Sequence, residues 1–372
     1  MAEPFDCPHC GGPIALGEDA PSTVPCPHCG MTIVVPEALR KREAPVPVVI
    51  RIDGRRAGPP ASPRVGLAVG IAIAAAVLLG LGGAAFGLLG GIGAAVAPNL
   101  PAIQPPGGPR QLMSFGGEGI GPGLFHDARH LGIDGQGRLY VGEYQGGRIQ
   151  VFDGQGQFLT QWFADREMPL TGMAVRRDGS VYTVQRGELL LRQGMTGESQ
   201  GGVAYDRGQQ FEDVALQADG GLLASWILFQ DAVVVFDSDG AWSLTVPEAV
   251  SGQTGEAELE LRVAADGRGD LLALGSFNTA VFRYDSTGRF VNRFGSEGDE
   301  PGQLRAPLSI AVDGQGNVYV GDIWGIEVFD RDGRFLRRLE VDGSPYGLAF
   351  DDQDHLWVVN GTHVTEYEVE AD

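Results

Sequence analysis

Cysteine is absent after residue 29, and lysine occurs once in 372 residues, at Lys41. The first absence excludes a thiol nucleophile from everything that follows. The second leaves no Gly-Lys-Ser/Thr loop to cradle a phosphate. A serine nucleophile elbow is not expected either. Charge of either sign is missing from Val65 to Val96, a run of 32 residues. Positive charge stays scarce beyond it. The chain holds 27 Lys and Arg against 48 Asp and Glu, and residues 1–64 carry as many basic as acidic side chains, so the whole net charge of −21 belongs to the part after the run. Such a surface repels phosphate backbones and anionic lipid heads; it excludes nucleic acid as a partner there and favours cations or basic partners.

About 20 apolar residues suffice to cross a bilayer, because a helix bonds every backbone N–H and C=O internally where water is missing. The run meets that length, and residues 65–97 are expected to form one transmembrane helix. Pro-rich linkers, 40–64 and 98–110, flank it. Arg40, Lys41, Arg42, Arg51, Arg55, Arg56 and Arg64 precede the run, while Arg110 is the only basic residue in the first 30 positions after it. The positive-inside rule therefore places the N-terminus in the cytoplasm and the C-terminal part outside the plasma (inner) membrane. Gly83, Gly87 and Gly91 repeat the small-xxx-small spacing of close helix pairs, which allows a helix-mediated dimer.

The four cysteines read Cys7-Pro-His-Cys10-Gly and Cys26-Pro-His-Cys29-Gly. Two residues between thiolates let one tight turn aim both sulfurs at one ion, and four thiolates close a tetrahedral shell with no open position. The expected ligand is a structural zinc ion, and removing it should unfold so small a unit. Residues 1–39 resemble a bacterial zinc ribbon, with short apolar strands at Pro13 to Leu16 and Met31 to Val35, a unit suited to docking a cytoplasmic protein.

From Gln111 onward one unit recurs. It is clearest in FGSEGDEPGQLRAPLSIAVDGQGNVYVGDIWGIEVFDRDGRFLRRL (294–339) and in its first copy, 115–162. Aligning the copies on the small residue of their first strands gives Gly132, Ala174, Ala215, Ala264, Ala311 and Ala349. The steps between them, about 40 to 50 residues, are those of propeller blades. Period-two alternation broken by Gly/Asp turns gives four antiparallel strands per unit. The last unit shows three strands, and Gln111 to Phe115 is a strand without a blade, so it is expected to complete the last blade and close the ring. The DGQG runs at 134–137 and 313–316 sit between strands and are expected to be turns rather than metal or phosphate loops.

The Phe-Gly, Ile-Ala-Val-Asp, Gly-Asn-Val-Tyr-Val and Val-Phe-Asp elements resemble the NHL repeat over residues 111–372. The resemblance implies an all-β, six-bladed NHL-type propeller joined to the zinc ribbon and the transmembrane helix. Polar residues before the inner strands, Arg129, His130, Glu212, Asp213 and Arg262, are expected at one mouth of the central channel, as a binding site or as an internal ion-pair cluster. The catalytic comparison the resemblance offers is with peptidyl-hydroxyglycine lyases, whose NHL propellers bring several histidines to a channel metal. Of His126, His130, His355 and His363, only His130 falls on the expected ring, so no catalytic residue is assigned. The sequence points to a membrane-anchored recognition or scaffold protein whose propeller binds a protein, peptide or glycan outside. A propeller lyase or hydrolase and a passive envelope scaffold are the alternatives.

Overall fold

The computed structural model describes residues 108–228 and 230–369, together with four short strands near the N-terminus. The chain divides into two compact units, Met1–Pro98 and Asn99–Asp372. In the first unit, Phe5–Asp6 pairs antiparallel with Pro13–Ile14, and Thr23–Pro25 pairs antiparallel with Thr32–Val34. Cys7 and Cys10 fall in sequence between the first pair, Cys26 and Cys29 between the second. The cysteines, the apolar run and the linker at 40–64 lie outside the described residues. Among the described residues, no helix is long and apolar enough to cross a membrane.

The second unit is an all-β, six-bladed propeller. Its six four-stranded antiparallel sheets follow chain order, except that the sixth is completed by the first strand of the unit. That strand, Arg110–Gly116, pairs with His363–Glu368, with Gly116 opposite His363 and Arg110 opposite Glu368. The ring is thus closed by its own two ends, which removes the unpaired edges a stack of blades would expose.

Each landmark residue lies in the first strand of a blade: Gly132 in Ala128–Ile133, Ala174 in Gly172–Val175, Ala215 in Phe211–Leu216, Ala264 in Leu261–Ala265, Ala311 in Pro307–Val312 and Ala349 in Gly347–Phe350. Small size is needed where first strands converge. A Cβ on Gly132 would lie 2.4 Å from Cγ2 of Val175 in the next blade. Four of the six second strands, such as Leu139–Glu143 and Leu271–Gly275, are buried along their whole length because a neighbouring blade covers each face, and the other two for most of it. This explains why they read as continuous apolar runs. The core is accordingly a ring of blade-to-blade seams; the seam of blades 6 and 1, for example, packs Trp357, Val359 and Val364 against Phe125, Leu139 and Phe152.

The two faces of the ring are built differently. One carries the turns joining strands one to two and three to four, and Arg110 and Glu368, the ends of the closing pair, meet there. In blades 1, 4, 5 and 6 the inner turn hangs on one aspartate whose Oδ1 accepts two backbone N–H groups, two and four residues on: Asp134, Asp266, Asp313 and Asp351. The DGQG runs are such turns, in which a short carboxylate does the work of a backbone acceptor. The opposite face carries the loops that enter each blade and those joining strands two and three.

Candidate functional site

The first strands enclose a central cavity of about 360 Å³ that opens on the loop-bearing face. Its shaft is lined by Ala174, Ala215, Ala264, Ala311 and Ala349 with Val and Leu neighbours, and its mouth by Arg129, His130, Tyr144, Asp213, Arg262 and Tyr346. Four of the five expected mouth residues therefore converge. Glu212 lies beside them but not on the cavity wall.

The charged side chains and the imidazole at the mouth each have a partner within the protein, although Arg262 Nε is buried without one. Arg129 donates to both carboxylate oxygens of Asp127, at 2.7 and 3.2 Å. Its guanidinium also lies between two aromatic faces, 4.3 Å from the Tyr144 ring centre and 5.1 Å from that of Tyr346. His130 Nε2 lies 2.7 Å from the Leu170 carbonyl. Burial, then the positive charges of Arg262 and Arg129, pull the His130 pKa down to about 3. The imidazole is therefore neutral at pH 7; the carbonyl assigns its proton to Nε2, which leaves Nδ1 as an acceptor.

Arg262 reaches from blade 4 to the Thr171 carbonyl at the start of blade 2, 2.9 Å away, and donates to Glu260 at 2.8 Å. Burial opposes its charge, but Asp213, Glu260 and Glu212 outweigh that cost and hold its pKa above the ordinary arginine value. The blade 3 carboxylates fasten blade 4. Asp213 Oδ2 accepts the Val263 N–H at 3.0 Å, and Glu212 Oε2 accepts the Leu261 N–H at 3.2 Å. Burial raises the pKa of both, that of Glu212 to about 7.

Sequence reasoning passed over Tyr144 and Glu260. Tyr144 follows the second strand of blade 1 and carries no repeat signal, whereas Glu260 sits two residues before Arg262, the spacing that puts both on one face of a strand. Among the described residues, one group brings three ligand-type atoms within 4.8 Å of one another: Asp351, His355 and Glu366, near the turn-bearing face. His355 Nδ1 lies 2.9 Å from Glu366, and Asp351 already accepts the Trp357 indole N–H and two backbone amides. His355 holds the position, four residues after the turn aspartate, that Arg138 and Asn317 hold in blades 1 and 5. Its place is explained by the turn. The stretch Gly197-Glu198-Ser199-Gln200-Gly201 spells the serine-elbow pattern, against expectation. Ser199 opens the exposed edge strand Ser199–Gly202 of blade 2 rather than a strand-to-helix turn.

No family model matches the sequence, and no curated protein matches it. Solved structures do. A gluconolactonase from Xanthomonas campestris superposes with a TM-score of 0.53 at 14% identity, over 71% of this chain and 99% of that one. A luciferin-regenerating enzyme superposes with a TM-score of 0.50 at 13% identity, over 67% of this chain and 96% of the other. Identities this low establish the shared fold: the chain carries a six-bladed β-propeller, a scaffold that serves unrelated activities.

Proposed function

We propose that the protein is a membrane-anchored recognition module, in which an extracytoplasmic NHL-type propeller binds a polypeptide segment at its channel mouth. The observation that carries this reading is the mouth itself. Its charged groups are matched by internal partners, which leaves a fixed polar collar with two tyrosines around an apolar shaft. Such a collar can receive a side chain and orient the backbone bearing it, since a concave apolar site with a few placed polar groups is the usual form of a binding pocket. The apolar run at 65–96 supplies the anchor. The cytoplasmic ribbon supplies an inner docking unit in which Cys7, Cys10, Cys26 and Cys29 hold zinc; paired strands on either side of each Cys-Pro-His-Cys segment support that fit. Bound there, zinc supplies a structural crosslink.

The test is crosslinked co-purification from native membranes, comparing the full-length chain with a Tyr144→Ala/Tyr346→Ala variant, which widens the collar and spares its ion pairs. Loss of a captured partner supports the mouth as the recognition site; unchanged capture overturns it. A second reading, an extracytoplasmic hydrolase, is favoured by one observation: Glu212 is held at about 7, where a carboxyl group exchanges protons at neutral pH. Because a gluconolactonase shares the fold, turnover of gluconolactone that is lost in Glu212→Gln is the result that would put this reading first.

A further inference from the structure

Large apolar side chains exposed on the propeller are not scattered. One group lies on the outermost strands: Phe158, Leu159, Trp242, Phe290 and Val291. The other lies wholly in loops of the mouth face, and among the described residues no turn of the opposite face exposes one. On blades 3 to 5 the mouth-face group comprises Leu228, Leu259, Phe277, Ile323 and Trp324, with Leu259, Phe277 and Trp324 exposed at 62%, 63% and 58%. Side chains of this size left in water cost free energy, and their gathering in the loops of one face of neighbouring blades marks a contact surface.

The loops that carry them are held in place from beneath. The buried carboxylate of Glu258 accepts the N–H groups of Leu259, Glu260, Phe277 and Asn278 and the Asn278 side-chain amide, at 2.9 to 3.2 Å. Gly275 makes room for it, since a Cβ there would lie 2.5 Å from Glu258 Oε2. In blade 5, buried Asp322 accepts the N–H groups of Arg305 and Ala306, at 2.8 and 2.9 Å, one residue from Ile323. Buried acceptors thus fix loops whose tips point apolar groups outward, the pre-organisation that lowers the entropy lost on binding.

Charge selects the occupant. Around these tips Glu256, Glu297, Glu300, Glu340 and Asp342 are exposed. In the loops 203–210, 228–230, 248–260, 276–279, 295–306, 323–324 and 340–346 the basic residues are two, Arg207, exposed beside Asp206, and Arg305, bound to Asp299 at 2.7 and 2.8 Å, against ten acidic ones. A second copy would present the same acidic face, and an anionic bilayer surface would be repelled. Arg110 and Glu368, the ends of the closing pair, lie on the other face.

We infer that the mouth face of blades 3 to 5 docks a cationic polypeptide segment carrying apolar side chains, the chemistry of the partner whose residue enters the channel; the inference rests on the recognition reading above. Leu259, Phe277 and Trp324 take its apolar groups, while the surrounding carboxylates take its Lys and Arg.

The test uses the full-length chain in nanodiscs of zwitterionic phosphatidylcholine and three labelled synthetic peptides of equal length. One is built from Lys, Leu and Phe, one has Glu in place of Lys, and one has Ser in place of Leu and Phe. Anisotropy titration should show the first binding at least about 10-fold more tightly than either control, and weakening as salt shortens the screening length. A Leu259→Ser/Phe277→Ser/Trp324→Ser variant should lose at least about 10-fold, the size of a truncated hot spot, while Phe158→Ser/Trp242→Ser/Phe290→Ser should change it less than about 2-fold. Equal affinity for the Glu peptide, or equal loss in both variants, overturns the inference. So does a dimer, or binding to phosphatidylglycerol vesicles, that vanishes in the first variant. If the first variant still binds the peptide while Tyr144→Ala/Tyr346→Ala loses its native partner, the docking inference falls and the mouth reading stands; the reverse pattern removes the mouth reading alone.

Discussion

The two faces of the ring solve one problem, reversing a strand, in different ways. On the turn-bearing face one solution recurs: the inner-turn aspartates of blades 1, 4, 5 and 6, three of them buried, each bind two amides, and Asp153, Asp237, Asp285 and Asp330 repeat it at outer turns that are half-buried or exposed. On the mouth face the loops of blades 1, 3, 4 and 5 each have their own buried acid, in its own place. Glu143 pairs with buried Arg148, which also donates to the Ile120 and Leu124 carbonyls. Asp231 takes the Val250 and Ser251 amides, and Glu258 takes five donors. A shared turn lets the blade repeat; individual anchors let each mouth loop differ in length and still be rigid, which a binding face requires.

The largest expected effects follow from those anchors. Replacing Glu143 by Ala leaves Arg148 charged, buried and without its carboxylate, a change that costs about 3–5 kcal/mol. Glu258→Ala orphans five donors and should cost at least about 3 kcal/mol. Asp237→Ala, on an exposed outer turn of the same design, should cost only about 1–2 kcal/mol, because solvent can replace its oxygens. Urea unfolding of the three variants checks the ranking, and an Asp237→Ala loss as large as that of Glu258→Ala would erase the distinction between the faces.

A smaller effect tests the seam between blades 3 and 4. The folded pKa of Glu212 is raised, to about 7 from an ordinary 4.5, so the native state holds a proton that the unfolded state has released between those values. Its contribution is complete below pH 4.5 and is lost as pH rises through 7, by at most about 3 kcal/mol. Glu212→Gln cannot ionise, and it should match the wild type at pH 4.5 and exceed it in stability at pH 8. His130 runs the opposite way: with its pKa lowered to about 3, its contribution grows as pH rises from 3 to 6.5. Unfolding midpoints across pH, for each variant, separate the two.

The fold was legible because the repeat is made of features that local physics enforces: small first-strand residues, apolar second strands and aspartate turns. Blades 2 to 4, whose sequences are degenerate, were placed by the single small residue each retains. The mouth was half legible. Arg129, His130, Asp213 and Arg262 follow from counting back from the landmarks. That Glu212 faces a backbone amide, that Tyr144 stacks on Arg129 and that Glu258 braces two loops depend on inter-blade distances that no spacing encodes. The anchors of the mouth loops are also not in register from blade to blade, so the repeat that reveals the turns conceals the loops.

The smallest expected effect bears most directly on what the mouth face is for. Phe277, in a mouth loop, and Phe290, on an outermost strand, are both exposed phenylalanines of blade 4, at 63% and 38%. Phe290 rests against Tyr284, with ring centres 5.6 Å apart, whereas among the described residues no ring contact engages Phe277. If burial alone decided the outcome, Phe290→Ser would cost about 1 kcal/mol and Phe277→Ser less than about 0.5 kcal/mol, or would even stabilise. With that outcome, a side chain that adds nothing to the folded state and yet is held outward by a buried five-donor carboxylate would support the docking proposed above. A Phe277→Ser loss above about 1.5 kcal/mol would instead make it part of the fold, and the two faces would then differ in loop construction without differing in purpose.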